Sequence, residues 1–159
     1  MEITVADGRT GHWRKDSERK MLKIVIIDGQ GGRLGQLLVE AVKKKDFDAE
    51  IYAIGTNSTA TSQMLRAGAD YGATGENPVI VASRDADFII GPIGIVAADS
   101  LLGEVTPKMV TAIGRSGAEK ILIPVGHCNN HVAGVKKLSM TEMADAAVDI
   151  ITELLGEKH

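Results

Sequence analysis

The fold of this chain is decided by one stretch, KIVIIDGQGGRLGQLLVEAVKKK, which spans residues 23–45. It begins with a continuous apolar run at 24–27, which is typical of a strand that is covered on both faces. The apolar residues after the glycines then recur at helical spacing: Leu34, Leu37, Leu38, Ala41 and Val42. Three lysines, 43–45, close this segment, where a helix favours positive charge. The stretch therefore predicts a strand, a tight turn and an amphipathic helix.

Three glycines lie between the predicted strand and helix at G-x-x-G-x-x-G spacing: Gly29, Gly32 and Gly35. A glycine at the first position allows a sharp turn. At the second it lets backbone N–H groups approach a phosphate, and at the third it lets helix and strand pack closely. We interpret the loop as the binding site of a phosphate-bearing ligand. The alternative is a tight turn that binds nothing.

Other residues of this loop bear on the same hypothesis. Gly31 is an additional glycine, Gln30 lies inside the turn, and Arg33 is placed to add a charge-assisted hydrogen bond. The strict G-x-G-x-x-G form is absent, because its third glycine would fall at Leu34. The prediction thus depends on the loop together with its strand–helix context.

Strand and helix patterns alternate along the rest of the chain. Apolar runs at 51–54, 88–90 and 120–126 predict further strands, and residues 131–135 predict a final short one. Helices are predicted from the Ser/Thr-rich segment 56–62 to Gly68, from Thr106 and Pro107 onward, and after a capping box formed by Ser139 and Glu142.

The segment PVIVAS at 78–83 suits either a strand or a helix. We favour a short helix, with Asn77 as its N-cap and Pro78 at its first position. The whole pattern predicts a Rossmann-like, doubly wound, mainly parallel sheet with helices on both faces, in three layers.

Composition and charge limit the class of protein. The chain has 159 residues, 44% of them hydrophobic, a net charge of -3 and one cysteine. A net negative chain lacks the basic field that nucleic acid requires, and a single cysteine fits a reducing compartment. No apolar run reaches the roughly 18 residues needed to cross a bilayer. We expect a cytoplasmic protein without nucleic-acid or membrane partners.

Residues 1–20 differ from the remainder, with five Lys/Arg, four Asp/Glu and little periodic apolar content. We interpret them as an appended, partly disordered extension, with Met21 as an alternative translation start and 21–159 as a single domain. The rival interpretation is that EITV adds an edge strand anchored by Trp13.

Two more loops are expected beside the glycine loop, because ligands of such sheets bind beyond the carboxyl ends of the strands. The first is Thr56, Asn57 and Ser58, whose polar side chains suit a ribose or its 2′-phosphate, or else helix capping. The second is Gly91, Pro92 and Ile93, which suit close approach of backbone to a ligand, or else a rigid turn.

NAD-binding domains hold the ribose with an acidic residue at the carboxyl end of the second strand. Asp48 and Glu50 have a suitable distance in sequence but precede that strand or lie at its start, and so they are expected at the opposite edge. The sequence therefore favours NADP, or another adenine nucleotide, over NAD.

Candidates for catalysis are few. Cys128 is a weak candidate nucleophile, and together with His127 and His131 it could ligate a metal, but a structural turn is the favoured interpretation of the cluster. No second cluster completes a zinc site, so no metal is expected. Asp28, Asp99 and Glu104 are acids without an identified partner.

Several segments resemble the bacterial family known as domain of unknown function 3842: IDGQGG, GTNSTATSQMLRAGADYGATGEN, IIGPIGIVAADSLLGEVTPKM and KILIPVGHCN. The resemblance runs from about Met21 to the C-terminus and leaves residues 1–20 outside it. It implies no activity or cofactor, and it implies frequent arginine at the position of His127, which argues against a catalytic or metal role for that histidine.

Three hypotheses remain open. The chain binds a nucleotide without a known reaction, it is an NADP-dependent enzyme, or it is a structural homo-oligomer or metabolite sensor without catalysis. The absence of a recognised catalytic dyad favours the first.

Overall fold

The computed structural model describes residues 2–4, 10–12, 21–125 and 129–157. A central sheet is formed by the strands β3 (Leu22–Asp28), β4 (Ala49–Gly55), β5 (Tyr71–Thr74), β6 (Phe88–Pro92) and β7 (Glu119–Ile123). Its helices are α1 (Arg33–Lys45), α2 (Ser58–Arg66), α3 (Glu76–Ser83), α4 (Pro107–Arg115) and α5 (Met140–Glu157). Two short strands, β1 (Glu2–Thr4) and β2 (Thr10–His12), pair antiparallel in a separate sheet.

The five strands of the central sheet are all parallel, in the order β5-β4-β3-β6-β7. The chain thus builds outward from β3 in one direction, through β4 and β5, and then returns to place β6 on the other side of β3. The strand order reverses between β3 and β6. This is a Rossmann-like, doubly wound fold, and folds of this class bind ligands beyond the carboxyl ends of the strands where the order reverses.

Helices cover both faces of the sheet. Ile24 and Ile26 of β3 point toward the layer of α1, α2 and α5, whereas Val25 and Ile27 point toward α3 and α4. All four side chains are at most 1% exposed. The continuous apolar run that marks β3 in the sequence follows directly from this burial on two sides.

The helix boundaries follow local capping chemistry. Asn57 accepts a hydrogen bond from the N–H of Ala60 (2.9 Å) at the start of α2, and Thr106 accepts one from Met109 (3.2 Å) at the start of α4. The Ser139 hydroxyl accepts from the N–H of Glu142 at 3.2 Å. These caps confirm the starts of α2, α4 and α5 that the sequence predicts.

Three details of the predicted elements are wrong. The edge strand β5 was not expected, because Tyr71, Gly72, Ala73 and Thr74 form no apolar run and are largely exposed. The short helix at 78–83 is correct, but it begins at Glu76 after Gly75, so Asn77 and Pro78 lie within its first turn. Residues 131–135 form no strand, since this segment is exposed and pairs with none.

The first segment of the chain also differs from the rival prediction. β1 pairs with β2 and not with the edge of the central sheet. Trp13 lies outside the described residues. Among the helices of the described part of the chain, none has the length and apolar character needed to cross a membrane.

Candidate functional site at the carboxyl ends of the strands

The predicted loops follow strands that adjoin at one edge of the sheet. Asp28 pairs with Gly55 at the ends of β3 and β4, and the N–H of Thr56 donates to the carbonyl of Asp28 at 2.9 Å. On the other side of β3, Gly91 lies so close to Ile27 that a side chain would contact its carbonyl oxygen. The geometric prediction that these loops share one edge is therefore confirmed.

The carboxylate of Glu104, a residue of the loop between β6 and α4, lies between the loops that follow β3 and β4. Its Oε2 accepts hydrogen bonds from the N–H of Gln30 (2.9 Å) and the hydroxyl of Thr56 (2.6 Å). The side-chain amide of Asn57 donates to Oε1 at 3.1 Å and to Oε2 at 3.2 Å. We call these four residues the Glu104 clasp. It joins the glycine loop to the loop after β4.

The donors of the clasp also determine the charge of Glu104. Partial burial acts to raise the pKa of this carboxyl, but the hydrogen bonds from Thr56, Gln30 and Asn57 outweigh burial and lower the pKa below its ordinary value. Glu104 is therefore an anion at neutral pH, and folding favours its ionised form.

This lowered pKa predicts a loss of stability in acid. A carboxyl whose pKa is lower in the folded than in the unfolded chain stabilises the fold above its ordinary pKa of 4.5, and it loses this effect as the pH falls through the lower folded value. We expect the parent to exceed Glu104→Gln in free energy of unfolding near neutral pH, and this difference to shrink below pH 4.5. Urea denaturation of both proteins, near neutral pH and below pH 4.5, measures this difference in free energy of unfolding. A difference that grows in acid would contradict the assignment.

A second carboxylate, Asp28, lies at the end of β3 and is only 6% exposed. It accepts hydrogen bonds from the N–H groups of Gly29 (2.8 Å) and Gly35 (2.7 Å). Burial raises the pKa of Asp28, the two hydrogen bonds oppose this, and the charge of Glu104 adds to the increase. Asp28 thus caps the start of α1 from inside the fold.

The spaced glycines are explained by contacts within the chain. A Cβ atom on Gly29 would collide with Thr56 and would lie 2.5 Å from Oε2 of Glu104, and one on Gly35 would lie 2.6 Å from Sδ of Met64. Gly32 has a φ of 75°, and its Cβ atom would lie 2.7 Å from the Cα of Ala60 in α2. The space beside Gly32 is therefore filled by a helix and is not open to a ligand.

Gly31 is different, because a Cβ atom placed there would meet nothing within 4 Å. Within the part of the chain that the structure describes, the backbone N–H groups of Gly31, Arg33 and Leu34 have no hydrogen-bond acceptor. The Arg33 side chain is exposed, and its guanidinium donates one long hydrogen bond, 3.5 Å, to the side-chain oxygen of Gln36. Open donors of this edge thus include Gly31 and the first turn of α1.

The third predicted loop contributes mainly backbone shape. Gly91 and Pro92 are the last residues of β6, and Ile93 begins a short 3₁₀ turn, Ile93–Val96. The chain then adopts left-handed backbone at Leu101 (φ 54°) and Leu102 (φ 56°) before it reaches Glu104. Such a conformation is costly for leucine, and here it accompanies the placement of the Glu104 carboxylate over the sheet edge.

Two of the remaining candidates lie at the other edge of the sheet. Asp48 and Glu50 are at the opposite edge, as predicted, and Glu50 accepts a hydrogen bond from the Tyr52 hydroxyl at 3.0 Å. A cavity of about 420 Å³ opens there beside Asp48 and Lys43, far from the glycine loop. His127 and Cys128 lie outside the described residues, and His131 and Asp99 are exposed. Among the described residues, no group of three metal-ligating side chains occurs.

Sequence reasoning missed the role of Glu104. It lies 74 residues from Gln30, in a segment without helical or strand periodicity, and no spacing rule connects the two. The only signal was the topology, which brings the loop after β6 to the same edge as the loop after β3.

Strand order, layers and convergent loops define a Rossmann-like α/β protein. The chain belongs to the family described as domain of unknown function (DUF3842), whose model matches residues 23–156. No curated protein matches the chain. Among solved structures, it is similar to a dodecameric FMN-dependent UbiX-like decarboxylase from Escherichia coli O157:H7, with 18% identity and a TM-score of 0.44 over 83% of this chain and 77% of that one.

Proposed function

We propose that the protein binds a nucleotide, with its phosphate over Gly31 and the first turn of α1. The observation that carries the proposal is the set of open backbone donors there, beside a glycine with free space around it. The N-terminus of a helix favours anions through these N–H groups and through its dipole. The exposed Arg33 adds a positive charge at the same position.

The two carboxylates narrow the position of the phosphate. Asp28 already uses the N–H groups of Gly29 and Gly35, and Glu104 uses that of Gln30. A phosphate would be repelled by either carboxylate at short range. Gly31 and Arg33 are thus the part of the glycine loop best suited to an anion.

Binding without an assigned reaction is the function that this geometry supports best. Two acids beside the glycine loop, Asp28 and Glu104, are both held in hydrogen bonds that serve the fold. An NADP-dependent enzyme or a structural, metabolite-sensing oligomer are the alternatives. The enzyme would require a proton donor or nucleophile beside the ligand.

A thermal-shift panel tests the proposal with NADPH, NADH, FAD, ATP, AMP and coenzyme A. A ligand that binds only the folded state adds about 2.7 kcal/mol of stability at one hundred times its Kd, and so at least one adenine nucleotide is expected to raise the melting temperature. A flat response across the panel would contradict nucleotide binding and favour the structural alternative.

The location of the site is tested with a matched pair of variants. Gly31→Val should remove the shift, because a branched side chain would fill the space in front of the open N–H groups. Gly117→Val is the control, since Gly117 is also exposed with nothing within 4 Å of its Cβ position, but it precedes β7 at the other edge. An equal ligand-induced shift in both variants would place the ligand elsewhere.

A further inference from the structure

The Glu104 carboxylate retains the capacity to bind a further donor. Its Oε2 accepts from Gln30, Thr56 and Asn57, whereas Oε1 accepts only from the amide of Asn57, at 3.1 Å. An ionised carboxylate oxygen accommodates about two hydrogen bonds, and the Asn57 amide is shared between the two oxygens of Glu104. The side chain is also partly exposed. One acceptor position of Glu104 is thus open at the crevice.

This carboxylate lies where a nucleotide-binding Rossmann domain places its ribose-binding acid, at the carboxyl end of the strand after the glycine loop's own strand. In this chain the residues at the end of β4 are the uncharged Thr56, Asn57 and Ser58. The loop after β6 brings Glu104 to them, with its Oε2 only 2.6 Å from the Thr56 hydroxyl. The acid that the sequence lacks at the end of β4 is therefore supplied by a different loop.

We propose that Glu104 determines specificity by accepting hydrogen bonds from the free hydroxyls of a ligand ribose, so that the ligand is a nucleotide without a 2′-phosphate. The inference rests on the proposed function and deepens it. It also reverses the preference for NADP that the sequence suggested.

Charge and geometry support this choice of ligand. A ribose hydroxyl can donate to the open Oε1, and a hydrogen bond to a charged acceptor is stronger than one between neutral groups. A 2′-phosphate has no such proton to give and would lie beside a like charge at a partly buried site. No basic side chain takes part in the hydrogen bonds of the Glu104 clasp to neutralise it.

The test compares ligands that differ only at the ribose 2′ position. Calorimetric titration of the full chain with NADH against NADPH, and with AMP against adenosine 2′,5′-bisphosphate, should give at least a tenfold tighter Kd for the member without the 2′-phosphate. This comparison needs no variant. Glu104→Gln keeps the size of the side chain and removes its charge, and the preference should fall to about threefold or less in both pairs.

Glu76→Gln is the matched control. Glu76 accepts a hydrogen bond from the Thr106 hydroxyl at 2.6 Å, the same distance and chemistry as between Glu104 and Thr56, but outside the clasp. It should leave the tenfold preference unchanged. Equal or tighter binding of the 2′-phosphorylated ligands, or an undiminished preference in Glu104→Gln, would overturn the proposed role of Glu104 but not nucleotide binding itself. Failure of every nucleotide to bind would overturn the proposed function and this inference with it.

Discussion

Gly32→Val is expected to destabilise the protein by about 2 to 6 kcal/mol, because backbone strain and overpacking each cost about 1 to 3 kcal/mol. The left-handed φ of 75° at this position disfavours a β-branched residue. The new side chain would also press on the backbone of α2, whose Ala60 Cα lies 2.7 Å from the Cβ position. A backbone atom cannot rotate away. The free energy of unfolding in urea measures the effect.

Gly31→Val provides the comparison for this experiment. Gly31 lies next to Gly32 in the same loop, but it has open space around its Cβ position and no left-handed φ. The change in stability of Gly31→Val should therefore stay within about 0.5 kcal/mol. The two adjacent glycines thus separate a packing role from a binding role. Equal stability of the two variants would show that α2 does not confine Gly32 as the structure indicates.

Asp28→Ala is expected to cost about 2 to 6 kcal/mol, because a buried donor left without its partner costs about 1 to 3 kcal/mol and Asp28 serves two. These are the N–H groups of Gly29 at 2.8 Å and Gly35 at 2.7 Å. Loss of both would loosen the start of α1. Urea denaturation measures the stability, and hydrogen exchange of the Gly35 amide should become faster.

Asp70→Ala is the control for Asp28. Asp70 accepts a single backbone N–H, that of Ile51 at 2.8 Å, and its side chain is more exposed. We expect its loss to cost about 1 kcal/mol, the typical value of one hydrogen bond. If Asp28→Ala cost no more than Asp70→Ala, Asp28 would not be the internal cap of α1.

Much of the fold could be predicted because its strands are buried on two sides. β3, β4, β6 and β7 each carry a run of apolar residues that burial between two helical layers requires, and the helices between them carry caps or periodic apolar faces. β5 escaped prediction for the opposite physical reason. An exposed edge strand needs no apolar run, so Tyr71–Thr74 resembles a loop.

The site was harder to predict than the fold. Topology predicted which loops would share an edge, since every carboxyl end in a parallel sheet lies on the same side. It could not predict that Gly32 packs on α2 or that Gly31 is the open position, because both depend on how closely neighbouring elements approach. The contact of Glu104 with Gln30 depends on a left-handed turn at Leu101 and Leu102 that no residue preference favours.

The shortness of β5 limits the pairing of this outer strand with strands of other molecules. An outer strand of a sheet offers unpaired backbone groups to any other chain, and long, flat outer strands seed aggregation. β5 has only four residues, one of them Gly72, beside which the side chain of Leu65 lies close. Few backbone groups are therefore available for intermolecular pairing on that side. On the β5 side of the sheet, contact between copies is therefore more easily made through helical surfaces than by strand pairing.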